Sequence, residues 1–232
     1  MVNDNPFEWQ EILTGEMLLL GLLGRIIYHY PENQERSWLK SLIDEEIFLE
    51  SPFGNDKAQI QSGLQLLQKW AQTGLSDEEF VNMQADYTRL FIGFEKVAAP
   101  PWESVYFGED HLIFQQRMLD VRYAYQRFGL EAEKIHQEPD DHIGLELAFM
   151  SHLAALGIQA LNDQDVARWD ELLEGQREFL AIHLGAWAFE WCALVEANAK
   201  TDIYQGVALL TRGALSALAE VLDITLVEAP VS

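Results

Sequence analysis

The residues best suited to chemistry lie in one stretch, Glu138-Pro139-Asp140-Asp141-His142-Ile143-Gly144-Leu145-Glu146. A proline and three acidic residues surround the start of a run that reads as a buried helix. A first helical turn leaves backbone N–H groups unpaired and carries partial positive charge. Asp140 and Asp141 are expected to satisfy both. His142 and Glu146 stand four residues apart, which places them on one face a turn into the helix. Such an acidic corner has three possible uses. It caps a helix, binds a metal, or receives a cationic partner.

For a metal, His142 and Glu146 have a chelating spacing, and Glu133-x-x-His136 has the spacing of di-iron bundles. Those bundles need a second such pair and two more inward glutamates, and only one copy is visible. A metal-dependent helical enzyme using Glu133, His136, His142 and Glu146 is the alternative reading. Covalent chemistry has less support. Cys192 sits in an apolar helix, where a cysteine is usually core. No nucleophile elbow, phosphate loop or dinucleotide fingerprint occurs.

A second candidate is Pro100-Pro101-Trp102-Glu103-Ser104-Val105-Tyr106. Two prolines fix extended backbone there. A large aromatic directly after them is costly to leave in water unless it packs or binds. Trp102 and Tyr106, with Tyr87 and Phe91, are expected to line a groove. For Tyr87 and Phe91 a place in the core is the better account.

Composition narrows the partners. The 232 residues carry 15 basic and 38 acidic side chains, a formal charge of −23. Phosphate binding needs clustered Lys and Arg, so nucleic acid is excluded as a partner. A cationic ligand is drawn in by the field. Cys192 is the lone cysteine, so no internal disulfide and no multi-cysteine cluster can form. The first ten residues lack an export-signal pattern, and the apolar runs are too short or interrupted to span a bilayer. A soluble, cytoplasmic protein without stable membrane insertion is expected.

The elements that position these residues are helices. Apolar residues recur with helical spacing through nearly the whole chain, and no strand pair stands out. The pattern predicts helices over 9–30, 32–48 and 56–73. Another is capped by Ser76 in a Ser-x-x-Glu box and runs through Phe80 to Phe91. Further helices are predicted over 109–128, from the acidic stretch to 161, and over 166–183, 186–199 and 202–222. The stretch 93–108 is expected to be irregular, and Gly185 to mark a bend. The reading is an all-α, single globular multi-helix domain over 1–232, with nine or ten helices. A seam is expected near 93–108 or 129–138.

Three blocks carry a resemblance. Tyr87-Thr88-Arg89-Leu90-Phe91-Ile92-Gly93, the Pro100–Tyr106 segment and the Glu138–Glu146 segment resemble the signatures of the TorD/DmsD/NarJ family of redox-enzyme maturation chaperones, and of its TorD/DmsD branch most. His183-Leu184 with Trp187 is similar to a fourth block. It lacks that block's proline before the Trp and its following basic residue, so no role is carried to it. The resemblance implies an all-α, TorD-like fold and no catalysis. It implies a cytoplasmic chaperone that binds the twin-arginine signal peptide of a molybdopterin oxidoreductase precursor of the dimethyl sulfoxide or trimethylamine N-oxide reductase kind. Cofactor insertion would then precede release to the Tat translocon. The implied peptide site comprises Pro100, Pro101, Trp102, Asp141 and His142. The residue reading adds Tyr87, Phe91, Glu103, Ser104, Tyr106, Asp140 and Glu146. No cofactor is implied beyond GTP, which some members are said to bind and for which no phosphate loop is visible. Either a monomer or a dimer formed by exchanging helices fits the sequence.

Overall fold

In the computed structural model, residues 6–44, 57–73, 75–93, 97–107, 115–130 and 139–226 are described. The helix positions over 45–56, the candidate metal ligands Glu133 and His136, and Glu138 lie outside them. Among the described residues there are ten α-helices and no β-strand. They are α1 (Pro6–Tyr28), α2 (Asn33–Asp44), α3 (Ala58–Ala71), α4 (Asp77–Tyr87), α5 (Glu103–Phe107), α6 (Gln115–Arg127), α7 (Ile143–Asp163), α8 (Val166–Phe179), α9 (Gly185–Asn198) and α10 (Asp202–Val221). The all-α class read from the sequence is the observed one.

The chain gathers into two compact units. One comprises Met1–Tyr28, Pro101–Phe189 and Leu215–Ser232, the other His29–Pro100 and Glu190–Ala214. The change at Pro100–Pro101 falls within 93–108.

In the first unit α1 and α7 lie back to back. A Cβ on Gly24 would sit 2.7 Å from the Gly144 carbonyl oxygen, and one on Gly144 would sit 2.8 Å from that of Gly24. Only hydrogen side chains permit that approach. It fixes the start of α7, and so the acidic stretch, against the end of α1. The Ser151 hydroxyl donates to the Met17 carbonyl at 2.7 Å along the same seam. Leu147, Met150, Leu153 and Ala154 of α7 are fully buried. Gln164, in the left-handed conformation (φ 57°), ends α7, and the Asp165 side chain caps α8 by accepting from Arg168 N–H.

The second unit is built around aromatics. Tyr87, Phe91, Trp191 and Tyr204 meet with ring centroids 5.0–5.9 Å apart. The predicted Ser76 N-cap is present, with Ser76 Oγ accepting from Glu79 N–H at 3.2 Å.

Two expectations are corrected. A short helix, α5, interrupts the stretch expected to be irregular, because a distant carboxylate caps it. Gly185 does not break the chain. One π-helical turn, Leu180–Leu184, joins α8 to α9, and a Cβ at Gly185 would lie 2.5 Å from the Leu180 carbonyl oxygen. The glycine accommodates the bulge rather than ending the helix. Two helical runs, Ile143–Asp163 and Val166–Asn198, are long and apolar enough to cross a membrane by length and composition, and 56% of the most apolar window of each is buried inside the fold.

Candidate functional site

The two candidate stretches meet within the first unit. Trp102 and His142 form an isolated antiparallel bridge. Ile143 N–H donates to the Pro101 carbonyl at 2.8 Å, and Glu103 N–H to the Asp141 carbonyl at 2.9 Å. The diproline explains why only one rung forms. Prolines 100 and 101 have no N–H to extend a ladder, and each strand turns into a helix one residue later.

Each residue of the acidic stretch does a different job. Asp141 caps α5, its Oδ2 accepting from Ser104 N–H at 2.8 Å. Asp140 faces α6, its Oδ2 paired with Arg122 Nε. The Tyr125 hydroxyl donates to the Asp140 carbonyl at 3.0 Å. The cap of α7 is His142, whose Nδ1 accepts from Gly144 N–H at 3.0 Å. The expectation that Asp140 and Asp141 cap α7 is therefore corrected. The helix begins at Ile143, which leaves both aspartates outside the N-cap, and their side chains reach other segments. Accepting at Nδ1 requires that nitrogen to carry no proton. The His142 ring lies edge-on to both Tyr28 and Trp102, with centroids 5.1 and 6.2 Å away.

Four carboxyl groups sit in this region wholly out of solvent. Glu103, Asp140, Asp141 and Glu146 are each at most 1% exposed. Glu103 is held by Arg117 Nη1 at 3.0 Å on one oxygen and by His183 Nδ1 at 2.9 Å on the other. Arg117 Nη1 also donates to the Ile182 carbonyl at 3.0 Å. Glu146 Oε2 accepts from Trp187 Nε1 at 3.2 Å.

The supply of donors falls short. Among the described residues Asp140 Oδ1, Asp141 Oδ1, Glu146 Oε1 and Trp102 Nε1 are buried with no hydrogen-bond partner. The consequence is electrostatic. Burial, reinforced by Glu103 and Asp141, pushes the Glu146 carboxyl well above the ordinary glutamate range. Burial also raises Asp141, while the Ser104 hydroxyl and N–H pull it down and the Asp140 charge pushes it up. Tyr125 is driven well up by burial first and by the surrounding carboxylates second, and stays a donor.

Of the remaining expected residues, Tyr106 stacks obliquely on Trp187 at 5.0 Å, and Trp102 is half-buried. Tyr87 and Phe91 belong to the aromatic core of the other unit, 5% and 3% exposed. Pro100 closes a segment of that unit. Sequence reasoning missed Arg117, Arg122, His183 and Trp187. The His183-Leu184-x-x-Trp187 spacing was the available signal, since both side chains end on carboxylates of the site. Arg117 and Arg122 offered none beyond being cations in an acidic chain. For the metal reading, His142 Nδ1 and one Glu146 oxygen are already engaged. Among the described residues no group of three His, Cys, Asp or Glu is placed to hold an ion.

Comparison with known proteins identifies the family. Residues 54–193 match the family model described as "Nitrate reductase delta subunit". A Haemophilus influenzae protein named "Probable Tat proofreading chaperone DmsD" is 28% identical over 82% of this chain and 83% of its own. "Chaperone protein TorD" of Photobacterium profundum is 32% identical over 46% of this chain and 48% of its own. "Chaperone protein TorD" of a Shewanella species is 30% identical over 59% of this chain and 61% of its own. The chain thus spans about half to five-sixths of the length of these relatives. It belongs to the nitrate reductase delta subunit family, the TorD/DmsD/NarJ group of redox-enzyme maturation chaperones, which are not enzymes.

Proposed function

We propose that this chain is a cytoplasmic chaperone that binds the twin-arginine signal peptide of a molybdopterin oxidoreductase precursor. It holds the apo-protein until its cofactor is inserted and keeps it from premature Tat export. The relatives' names support the Tat proofreading part of this reading. The observation that carries the peptide part is a cluster of buried carboxyls whose arginine partners are partly exposed. Four buried carboxyls share two arginines and one histidine, beside a half-buried tryptophan.

The chemistry of such a signal is complementary. Two guanidinium groups offer forked donors to carboxylate oxygens. The apolar segment that follows needs aromatic and aliphatic surface, which Trp102 and Tyr106 supply. The charge of −23 steers a cationic segment inward, and salt screens that attraction.

The test is calorimetry of the full chain with a synthetic twin-arginine signal peptide and its twin-lysine counterpart. Trp102→Ala is expected to weaken binding with far-UV helicity unchanged, and the Arg peptide is expected to bind more tightly than the Lys peptide. Equal affinity of wild type for both peptides, or unchanged affinity in a folded Trp102→Ala variant, would remove this surface from the binding site.

A further inference from the structure

The acidic cluster already holds two guanidinium groups, and both come from one helix. Arg117 and Arg122 of α6 pair with Glu103 and Asp140. The carboxylates are 0% and 1% exposed, whereas the arginine side chains are 25% and 24% exposed. In each pair the arginine is therefore the partner in contact with solvent. A second guanidinium arriving from solvent meets these two side chains before it meets any carboxylate.

Neither pair is fully made. Arg117 reaches Glu103 through Nη1 alone, and Arg122 reaches Asp140 through Nε alone. Neither uses the two-toothed geometry that makes arginine–carboxylate contacts strong. Asp140 Oδ1 is left without a partner. A guanidinium free of the constraints of a helix can offer a parallel fork to the same carboxylate.

The helix that carries them is unevenly anchored. Val121, Tyr125 and Phe128 are buried at and beyond its middle, while 116–120 are half-buried or exposed. Among the described residues, lifting the Arg117 end removes little apolar surface from the core. It uncovers something useful. The Arg117 guanidinium lies 3.9 Å from the centre of the Phe107 ring and bonds the Ile182 carbonyl. Phe107 and Ile182 are 40% and 55% exposed even with Arg117 in place. With Arg117 withdrawn they make an apolar surface beside the vacated carboxylate.

We propose that α6 is a built-in pseudo-ligand. Arg117 and Arg122 occupy Glu103 and Asp140 until a segment bearing two guanidinium groups displaces them and lays its apolar part on Phe107 and Ile182. The occupant is identified by this chemistry and rests on the signal-peptide reading above. The displacement itself does not, because any small guanidinium compound probes it.

Three full-length variants test the idea: Arg117→Gln, Arg122→Gln and the double change, each checked for cooperative urea unfolding. The double variant is expected to bind a twin-arginine peptide about tenfold more tightly than wild type, since no internal competitor remains. Millimolar N-ethylguanidinium is expected to raise its Tm and to leave the wild-type Tm unmoved. If the double change does not fold, each single Gln variant carries the same expectations with a smaller gain in peptide affinity. Peptide affinity equal to or below wild type, with no response to ethylguanidinium, overturns the pseudo-ligand and leaves the signal-peptide reading standing. An ethylguanidinium response without peptide binding by any form sustains the pseudo-ligand and overturns the client assignment.

Discussion

Glu146→Gln separates structural from ligand-binding carboxyls most cleanly. Glu146 is fully buried, with Trp187 Nε1 at 3.2 Å on one oxygen and no partner on the other. Burial first, then Glu103 and Asp141, hold its carboxyl well above the ordinary range. In the unfolded chain the group titrates near 4.3. Below that pH both states hold the proton and the stabilising contribution of the neutral acid is complete. Above it the unfolded state releases its proton while the folded state keeps one. Stability then falls by up to about 1.4 kcal/mol per pH unit, until the folded-state value is passed. Glutamine reproduces the shape of the neutral acid, keeps an oxygen for Trp187, and has no proton to lose. The stability of Glu146→Gln relative to wild type is therefore expected to grow as pH rises above the unfolded-state value, with that slope as its upper limit. Urea unfolding of both proteins across that range measures it. The contributions of other carboxyls cancel in the difference, apart from Glu103 and Asp141, which touch the same group. At neutral pH the variant is also expected to keep its peptide affinity, because Glu146 is wholly buried and its bonded oxygen serves Trp187. A stability difference that is flat with pH, or a tenfold loss of peptide binding, would refute the assignment of a neutral, structural Glu146.

Three other expectations follow from the same physics. Glu16 of α1 is wholly buried with neither oxygen hydrogen-bonded, and burial raises its carboxyl well above the usual range; Glu16→Leu should raise stability by about 1–3 kcal/mol, read as an increased urea midpoint. Gly144→Ala should cost about 1–3 kcal/mol by the same assay, because the new Cβ meets the Gly24 carbonyl and Tyr28 Cβ at 2.8 Å. In the other unit Asp86 accepts from Arg89, from the Lys200 and Thr201 N–H groups and from the Thr201 hydroxyl; Asp86→Ala should destabilise by about 3–5 kcal/mol, checked by thermal unfolding, since it strands a guanidinium and three neutral donors.

What the sequence made legible was whatever is local in the chain. The Ser76 N-cap needs only the residues between 76 and 79, and it is present. The helical periodicity of 143–163 belongs to a single element and is observed within a few residues of its expected ends. What escaped depends on partners far along the chain. α5 exists because a carboxylate 37 residues away caps Ser104 N–H, and no local pattern near a diproline announces a helix. Asp140 and Asp141 could not be assigned from their spacing, because a shift of one residue in the helix start passes the cap to His142. The burial of Glu103 was invisible for the same reason. Its partner His183 lies 80 residues on, in a π-helical turn that reads in sequence as ordinary helix followed by a glycine break.

The cluster raises the question of whether an arriving pair of arginines adds to the internal pair or replaces it. Two cations facing four carboxyls invite addition on charge alone, with Asp141 and Glu146 as the unpaired acids. Access decides against it. Asp141 and Glu146 are 0% exposed, and their free oxygens face the interior. A guanidinium that reached them would give up its own hydration, and desolvation of that kind commonly exceeds the attraction gained. Glu103 and Asp140 are different. Their partners already form a quarter-exposed boundary with solvent, so exchange there trades one solvated guanidinium for another and requires no new buried charge. On the proposed exchange Asp141 pins α5 and Glu146 pins Trp187, and recognition falls to the two arginine pairs.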